Sequence, residues 1–595
     1  MGKRKKRPVK KKKPVAKKQA EVVIEEPVQQ PKHSFIPYLI LLVLPFLLYG
    51  ASISYEYVLD DKIVLSENSF VKQGVSGIKD IFTKESFTGY LGEQKDLVVG
   101  ARYRPLSLAM FALEYELFGL NPKVGHSLNI LLYGLTGMLL YKLFLMFFKG
   151  RKRKWYLGIP FVAAFLFLLH PIHTEVVANI KSRDEILSLL LALWTLYLSY
   201  RYVTTKKRSY VIASGFVFLL ALLAKENAIT FLAVIPVTLY IFEKATIRRI
   251  IFAMSPLILS AAAFVFIRYQ VVGYLLDSGK EITGLMNNPF LGTTAPEKYA
   301  TITYTLGMYL KLLVFPHPLT HDYYPYQVPI MNWSNWIVLL SLVLYVVMGF
   351  YALFKWKTRT LTIWCIVFFI ATLSIVSNLF FSIGTFMNER FLYMPSVAFL
   401  VLIAYWILEW LPKRLKNKPK LANGLITGLV LALVAGYSYK TLDRVPAWEN
   451  GMTLNRAASK VSVNSARANQ FMAYALYLEA VETTDREAKT SVLDEATYFV
   501  DRALKIHPTY PDANNAKAGI LSAYYQIDRD LQKLLDGFYL IQMRKPAPFV
   551  DTYLNYLEGR VDQGTLSEFY RKLGTDLVLN GNTTYGNHYL RKVGQ

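Results

Sequence analysis

The stretch FVAAFLFLLHPIHTEVVANIKSRDEILSLLLALWTLYLSY, residues 161–200, holds two apolar runs separated by a dense polar segment. A helix that spans a bilayer needs about 20 mostly apolar residues, because the hydrocarbon core is about 30 Å thick and each residue rises about 1.5 Å. The two runs read as crossings at 157–178 and 184–202, so HPIHTE and KSRDE lie together at one membrane face. This pattern of long apolar helices with charge gathered at their ends predicts a polytopic, all-α membrane fold.

Outward from this stretch the pattern repeats. Further crossings are expected at 35–54, 124–148, 209–224, 226–243, 249–268, 334–354, 360–381, 391–411 and 421–438, about eleven in all. The whole chain of 595 residues is 53% hydrophobic, with a mean hydropathy of +0.27. Its net charge of +26 is uneven, and the block KRKKRPVKKKKPVAKK in the first twenty residues reads as a basic cytoplasmic tail over 1–34. It lacks interleaved aromatics, which disfavours nucleic acid as a partner, and the apolar run after it is too long for a cleaved signal peptide. The single cysteine, Cys365, excludes an intramolecular disulfide and a cysteine metal site.

Loops rich in Lys and Arg face the cytoplasm. KGRKRK from Lys149, TTKKR from Thr204, EKATIRR from Glu243, KWKTR from Lys355 and PKRLKNKPK from Pro412 therefore mark inner loops. The run YATITYTLGMYLKLLVF from Tyr299 would break this alternation if it crossed, so it is expected to be re-entrant or interfacial. With that reading every polar cluster falls on the outer side: Asp60 and Asp61, ARYRPL from Ala101, HPIHTE from His170, KSRDE from Lys181, AKEN from Ala224, FPHPLTHDYYP from Phe315, and NERFLYMP from Asn388.

Carboxylates at such a face suit general-base chemistry on a hydroxyl. Asp60 and Asp61 are the candidates, the alternative being a helix N-cap pair before KIVLSEN. Arg102, Arg104, Arg183, Lys225 and Arg390 run against the positive-inside rule. They suit a phosphate of a lipid-linked donor. The alternative is pairing with adjacent acids, Arg183 with Asp184, Lys225 with Glu226, and Arg390 with Glu389. His170 and His173, with Glu175 beyond, are expected to bind donor phosphate or support the carboxylates. His321 with Asp322 is a weaker cluster, and no HExxH zinc motif is present. No P-loop, dinucleotide fingerprint or nucleophile elbow occurs, so a nucleotide-sugar donor is disfavoured.

The order DD, YRPL, HPIHTE, SRDE, KEN and NERFLYMPSV, followed by helical repeats, resembles the transmembrane and tetratricopeptide repeat protein O-mannosyltransferases of the GT-C superfamily. The likeness covers roughly residues 50–580. It implies a membrane glycosyltransferase domain over 35–440 with an outer first loop at 55–123, and a polyprenyl-linked donor. The expected base is an acid in that loop, Asp60 or Asp61. Arg104, Arg183, Lys225 and Arg390 would neutralise the leaving phosphate, joined by Arg102, His170 and His173. Glu175, Asp184, Glu226, His321, Asp322, Glu389 and Tyr393 would support them. No resident metal is assigned, although Mg or Mn would suit a pyrophosphate donor.

From about Asn450 the chain is too polar to span. ARANQFMAYALYLEA from Ala466 and EATYFVDRALKIHPTYPDA from Glu495 read as two helices of a tetratricopeptide-like repeat, with further amphipathic segments near 512–526, 528–542, 548–559 and 564–579. The repeat domain, 450–595, is short and degenerate, which resembles a bacterial relative. The likeness then implies an inner-membrane protein with a cytoplasmic N-terminus and a periplasmic site. Its partners would be a lipid-linked donor, membrane lipid and an exported acceptor polypeptide. The leading expectation is inverting transfer of a monosaccharide or an oligosaccharide, the latter an oligosaccharyltransferase activity, to Ser or Thr of exported proteins. Transfer to a lipid or surface glycan, and a non-enzymatic scaffold or transporter, are the competing classes.

Overall fold

A computed structural model of the chain describes Gly2 and residues 34–95, 102–149, 154–275 and 279–593. The basic block of the first twenty residues falls almost wholly outside them. Among the described residues the thirteen longer α-helices before the repeats serve as the frame, shorter turns of helix aside: α1 Ile36–Tyr49, α2 Pro105–Phe118, α3 Pro122–Phe147, α4 Ile159–Leu169, α5 Arg183–Thr205, α6 Ser209–Ala224, α7 Phe231–Phe242, α8 Ile247–Val272, α9 Ala295–Val314, α10 Trp336–Lys355, α11 Leu361–Ser374, α12 Tyr393–Tyr405 and α13 Pro419–Arg444. No strand occurs among the described residues.

The spans built on α1, α3, α5, α8, α10, α12 and α13 are each long and apolar enough to cross a membrane, which makes the chain a multi-pass membrane protein. An eighth is α4 together with Pro171–Ala178, bent by 50°. The bend sits at HPIH, where Pro171 lacks an N–H to continue the helix ladder. The remaining three expected crossings are the apolar helices Ser209–Ala224, Glu226–Phe242 and Leu361–Ser374, shorter than a full span.

Local chemistry fixes the ends. Asn121 accepts from Lys123 N–H with Pro122 in the first turn of α3. A reciprocal Thr294–Glu297 capping box opens α9. Small residues allow close approach within the bundle: a Cβ on Gly137 would stand 2.6 Å from Leu168 of α4. Buried polar bonds add register, as where Trp364 donates to Thr238 Oγ1 at 2.8 Å between α11 and α7.

The two ends of the bundle differ in chemistry. Lys149 pairs with Glu243 at 2.6 Å, Arg359 stands over the Tyr240 ring at 4.0 Å, and Tyr240 stacks on Trp356, so these basic loops share one end. The acidic and basic clusters named above gather at the other. Helix α9 is a single unbroken helix, not a re-entrant hairpin. Before it Phe290 packs edge-on against Phe386, and after it Thr320 N–H donates to Glu389. Both flanks therefore sit at the clustered end, which fits the interfacial alternative.

Beyond α13 lie α14 Gly451–Val461, α15 Ala466–Glu482, α16 Arg486–Ile506, α17 Pro511–Asp528, α18 Leu531–Arg544, α19 Pro548–Leu557, α20 Gln563–Leu579 and α21 Thr583–Leu590. The middle six occupy the six amphipathic segments read from the sequence. With α21 they bury two successive cores, one around Met472, Leu476, Leu493, Val500 and Ile520, the next around Leu534, Phe538, Leu554, Leu573 and Tyr589. Stacked helix pairs sharing cores only with neighbours are the helical-repeat arrangement.

Candidate functional site

Asp60 and Asp61 lie beyond α1, after a turn in which Leu59 adopts a left-handed φ of 48°. That region is costly for a branched apolar side chain, and strained backbone of this kind persists only where the surroundings enforce it. The enforcing contacts belong to Asp61. Its Oδ2 accepts from Val58 N–H at 2.9 Å and its Oδ1 from Lys181 N–H at 2.7 Å, and the residue is fully buried. The expected N-cap does not form, because both carboxylate oxygens are already occupied, and the helical turn Lys62–Ser66 has no side-chain cap. Burial pushes the Asp61 carboxyl up to about 7, opposed by those two N–H groups.

Asp60 has the opposite setting. Its side chain is 38% exposed, and its closest cation is Lys181, 3.9 Å away. Burial alone would raise its carboxyl; Lys181, Arg390, Arg102 and Arg467 together outweigh burial and hold it below the usual value. The two adjacent acids thus differ: one braces the turn, the other faces an opening among cations.

The turn carrying Lys181 is gripped from below. Asn129 of α3 donates to the carbonyls of Asn179 and Ile180 at 3.1 and 3.3 Å. Arg183 donates through Nε to Asn129 at 2.8 Å and through Nη2 to the Gly125 carbonyl at 3.0 Å, and Nη1 pairs with Glu114. With no exposed surface and the Phe111 ring 4.5 Å away, Arg183 is enclosed. It pairs across helices and not with Asp184, since successive residues on a helix point about 100° apart.

The other adjacent pairings are likewise replaced. Lys225 pairs with Glu185 at 2.5 Å and Asp184 at 3.4 Å, and Arg390 with Glu175 at 2.5 Å. Glu226 belongs to Arg104, whose Nε and Nη2 hold both its oxygens while Nη1 meets Asp184 at 2.7 Å. Asp184 also draws Lys181 to 3.7 Å. Arg104, Asp184, Lys181, Asp60, Lys225, Glu185 and Glu226 therefore form one network at the helix ends.

Arg102 stands apart. Glu85 and Ser86 clamp its chain segment: Glu85 Oε1 accepts from Arg102 N–H at 3.2 Å, Ser86 N–H donates to the Arg102 carbonyl at 2.9 Å, and Arg104 N–H donates to Ser86 Oγ at 2.9 Å. The guanidinium lies 5.2 Å over the Phe87 ring and, among the described residues, makes no ion pair. Burial lowers its affinity for the proton, Arg104 adds to the effect, and Asp60 opposes it.

The histidines sit elsewhere. His170 Nδ1 accepts from Ile172 N–H at 3.2 Å and its Nε2 contacts the Leu313 carbonyl at 3.1 Å. His173 joins Tyr133 OH at 2.8 Å and Ser396 Oγ at 2.9 Å, with the Tyr393 ring packed edge-on. Both rings are fully buried with each nitrogen engaged by protein, so neither joins the charged network. His321 is buried against Trp448 with both ring nitrogens unpartnered among the described residues, and burial lowers its pKa to about 3. Glu389 accepts from Tyr323 OH at 2.9 Å. No group of three His, Cys, Asp or Glu among the described residues is arranged to hold a metal ion.

Asp322 makes the link to the repeats. Its Oδ1 accepts from Ser465 Oγ at 2.7 Å and from Tyr324 N–H at 3.0 Å, and its Oδ2 from Arg467 Nε at 2.7 Å. Chain-to-chain bonds run alongside, with Tyr326 N–H donating to the Asn464 carbonyl at 2.9 Å and Ala466 N–H to the Pro325 carbonyl at 3.1 Å. Lys181, Glu185, Glu114 and Arg467 were not singled out as site residues from the sequence. KSRDE held a signal for the first two, whereas Arg467 sits in an unremarkable amphipathic helix.

No protein-family model matches the chain. It is similar to protein O-mannosyl-transferase TMTC1 of Homo sapiens, 27% identical over 512 residues that cover 79% of this chain and 55% of that protein. It is also similar to protein O-mannosyl-transferase TMTC3 of Mus musculus, 25% identical over 460 residues (72% of this chain, 48% of that protein). Protein O-mannosyl-transferase F38B6.6 of Caenorhabditis elegans is 27% identical over 439 residues (72% and 58%). The chain spans about half the length of the curated relatives it matches. Over most of its length the chain is thus similar to proteins named protein O-mannosyl-transferases, at 24–27% identity.

Proposed function

We propose that this chain is a GT-C-type glycosyltransferase that moves a sugar unit from a polyprenyl-phosphate or polyprenyl-pyrophosphate donor to Ser or Thr of exported proteins. The single observation that carries this reading is the division of labour between the two aspartates. Asp61 is spent on two backbone N–H groups, and Asp60 is open, ionised and ringed by cations. The similarity to named protein O-mannosyl-transferases supports the reaction class.

In this reading Asp60 accepts the proton of the acceptor hydroxyl. The hydroxyl oxygen then bonds to the anomeric carbon on the face opposite the phosphate. The bond from that carbon to the phosphate oxygen breaks, and the electron pair leaves with the polyprenyl phosphate, so the sugar inverts. Charge grows on the phosphate as the bond breaks, and cations fixed in advance are worth most there. Among the described residues Arg102 makes no ion pair, while Lys181 is shared between Asp60 and Asp184 and Arg390 is paired with Glu175. Arg104 and Lys225 hold Asp184, Glu185 and Glu226, and so act as scaffold for the others. The site opens away from the cytoplasm in a bacterial inner membrane, and the repeats hold the acceptor polypeptide.

The test is mass spectrometry of exported proteins from cells carrying the wild type, Asp60→Asn or no copy. Loss of one O-linked mass in the last two supports the reading, and the mass names the transferred unit. Unchanged protein glycans in all three, with a changed lipid or surface glycan, would replace the protein acceptor by a glycan one.

A further inference from the structure

One residue reaches both aspartates. The backbone N–H of Lys181 donates to Asp61 Oδ1 at 2.7 Å, and its ammonium stands 3.9 Å from Asp60 Oδ2. Among the described residues no other cation lies within 4 Å of Asp60. The Lys181 side chain is only 5% exposed, and Asp184 Oδ2 holds its ammonium from the other side at 3.7 Å. Asp184 has closer partners of its own, Arg104 at 2.7 Å and Lys225 at 3.4 Å. The turn is fixed from α3, where Asn129 holds the carbonyls of Asn179 and Ile180. The ammonium therefore has a set place between two acids, one of which is already neutralised.

The other charges acting on Asp60 are Arg390 of the turn before α12, Arg102 of the first loop and Arg467 of α15, with Asp61 beside it in the chain. Those around Lys181 are Asp184, Arg390, Lys225 and Asp60. In the proposed reaction Arg102 and Arg390 turn to the donor's phosphate, and the charge of that phosphate favours the protonated form of a carboxylate close by. A base at this place needs one cation that stays with it. We infer that Lys181 is that positioning residue: it holds Asp60 ionised beside the bound phosphate and takes no part in gripping the phosphate. This deepens the glycosyltransferase reading and rests on it. The residue types agree with the division, because an ammonium is a compact point charge, whereas the planar fork of arginine matches paired phosphate oxygens.

Exchanging the Lys181 side chain leaves its backbone N–H on Asp61, so the turn keeps its brace. Variants are Lys181→Gln, Lys181→Met, Lys181→Arg and, as control, Lys62→Gln, which loses only an exposed pair with Glu67. Each full-length protein in lipid discs is first checked for a wild-type thermal midpoint, and Lys181→Met stands in if Lys181→Gln is unstable. Labelling of Asp60 by a carbodiimide, which attacks the protonated carboxyl, is followed against pH by peptide mass spectrometry. Transfer is followed over the same range with polyprenyl-linked sugars extracted from the source cells and a Ser/Thr peptide from an exported protein. We expect labelling and the acid limb of kcat to move together to higher pH in the two uncharged variants. Both stay in place in Lys181→Arg and in the control, and the KM for the donor is unchanged throughout. At pH 5 the uncharged variants transfer about tenfold or more slowly than wild type, within the 10²- to 10⁴-fold that a general base supplies. Wild-type labelling and a wild-type acid limb in a folded uncharged variant overturn the inference and leave the donor reading standing. A raised donor KM with an unmoved acid limb makes Lys181 a phosphate ligand and overturns it too. Unfolding of both uncharged variants beside a folded Lys181→Arg makes Lys181 a structural ion-pair partner, with the same consequence. A wild type that labels at Asp60 but transfers no sugar sinks the glycosyltransferase reading and the inference with it.

Discussion

Replacing each aspartate of the pair by asparagine separates a brace from a base. Asp61 accepts one N–H on each oxygen, from Val58 and from Lys181. Asparagine offers one carbonyl oxygen and one NH2 group, so one of those backbone donors must face another donor. Each buried polar group left unpaired costs about 1–3 kcal/mol, and Asp61→Asn creates two, the backbone N–H and the new amide. The total is roughly 2–6 kcal/mol, spent at the turn that holds Leu59 in its left-handed conformation. Asp60→Asn removes only a partly exposed ion pair at 3.9 Å, worth about 1 kcal/mol or less. Its effect on transfer is that of losing a general base, about 10²- to 10⁴-fold. Thermal unfolding in detergent and transfer rate, measured on both variants, give the readout. The expected pattern is a low midpoint for Asp61→Asn and a wild-type midpoint with little transfer for Asp60→Asn. A wild-type midpoint with no transfer for Asp61→Asn, beside an active Asp60→Asn, would refute the assignment.

Other outcomes follow from the same geometry. Transfer (kcat/KM) stays flat as pH falls from about 7 to about 5, because a carboxyl held below its usual value keeps its base form until the pH drops through that lowered pKa; an acid limb near 7 would instead point to Asp61. Arg104→Ala strands Glu226 and takes the closest of three cations from Asp184, costing about 3–5 kcal/mol, and Arg104→Lys recovers little because it cannot grip both oxygens of Glu226; membrane yield and thermal midpoint check this. His173→Phe lowers the thermal midpoint yet leaves the KM for the lipid donor unchanged, since both ring nitrogens serve Tyr133 and Ser396. Asp322→Asn loosens the junction to the repeats, read as faster proteolysis between Val461 and Ser465.

The crossings were legible because lipid demands long apolar runs, and the repeat helices because their faces alternate at helical spacing. Charge alternation also marked the run from Tyr299 as unlike the others, although its unbroken helical form was not foreseen. Pairings within the site were not legible. Arg183 reaches Glu114, Lys225 reaches Glu185 and Arg390 reaches Glu175, each across a helix boundary that sequence adjacency cannot describe. The two histidines at HPIH looked like ligand-binding groups, yet their polarity is spent on satisfying a bent helix and its neighbours inside the bundle. Asp60 and Asp61 are chemically identical neighbours. What separates them is two backbone N–H groups held by Asp61, one from Val58 in the same turn and one from Lys181, 120 residues away.

The most direct test uses purified protein in lipid discs with a polyprenyl-phosphate-linked sugar and a Ser/Thr peptide from an exported protein. Sugar on the peptide with wild type, opposite in anomeric configuration to the donor and absent with Asp60→Asn, is the predicted result. Transfer by Asp60→Asn at the wild-type rate, or retention of the donor's configuration, would contradict the account.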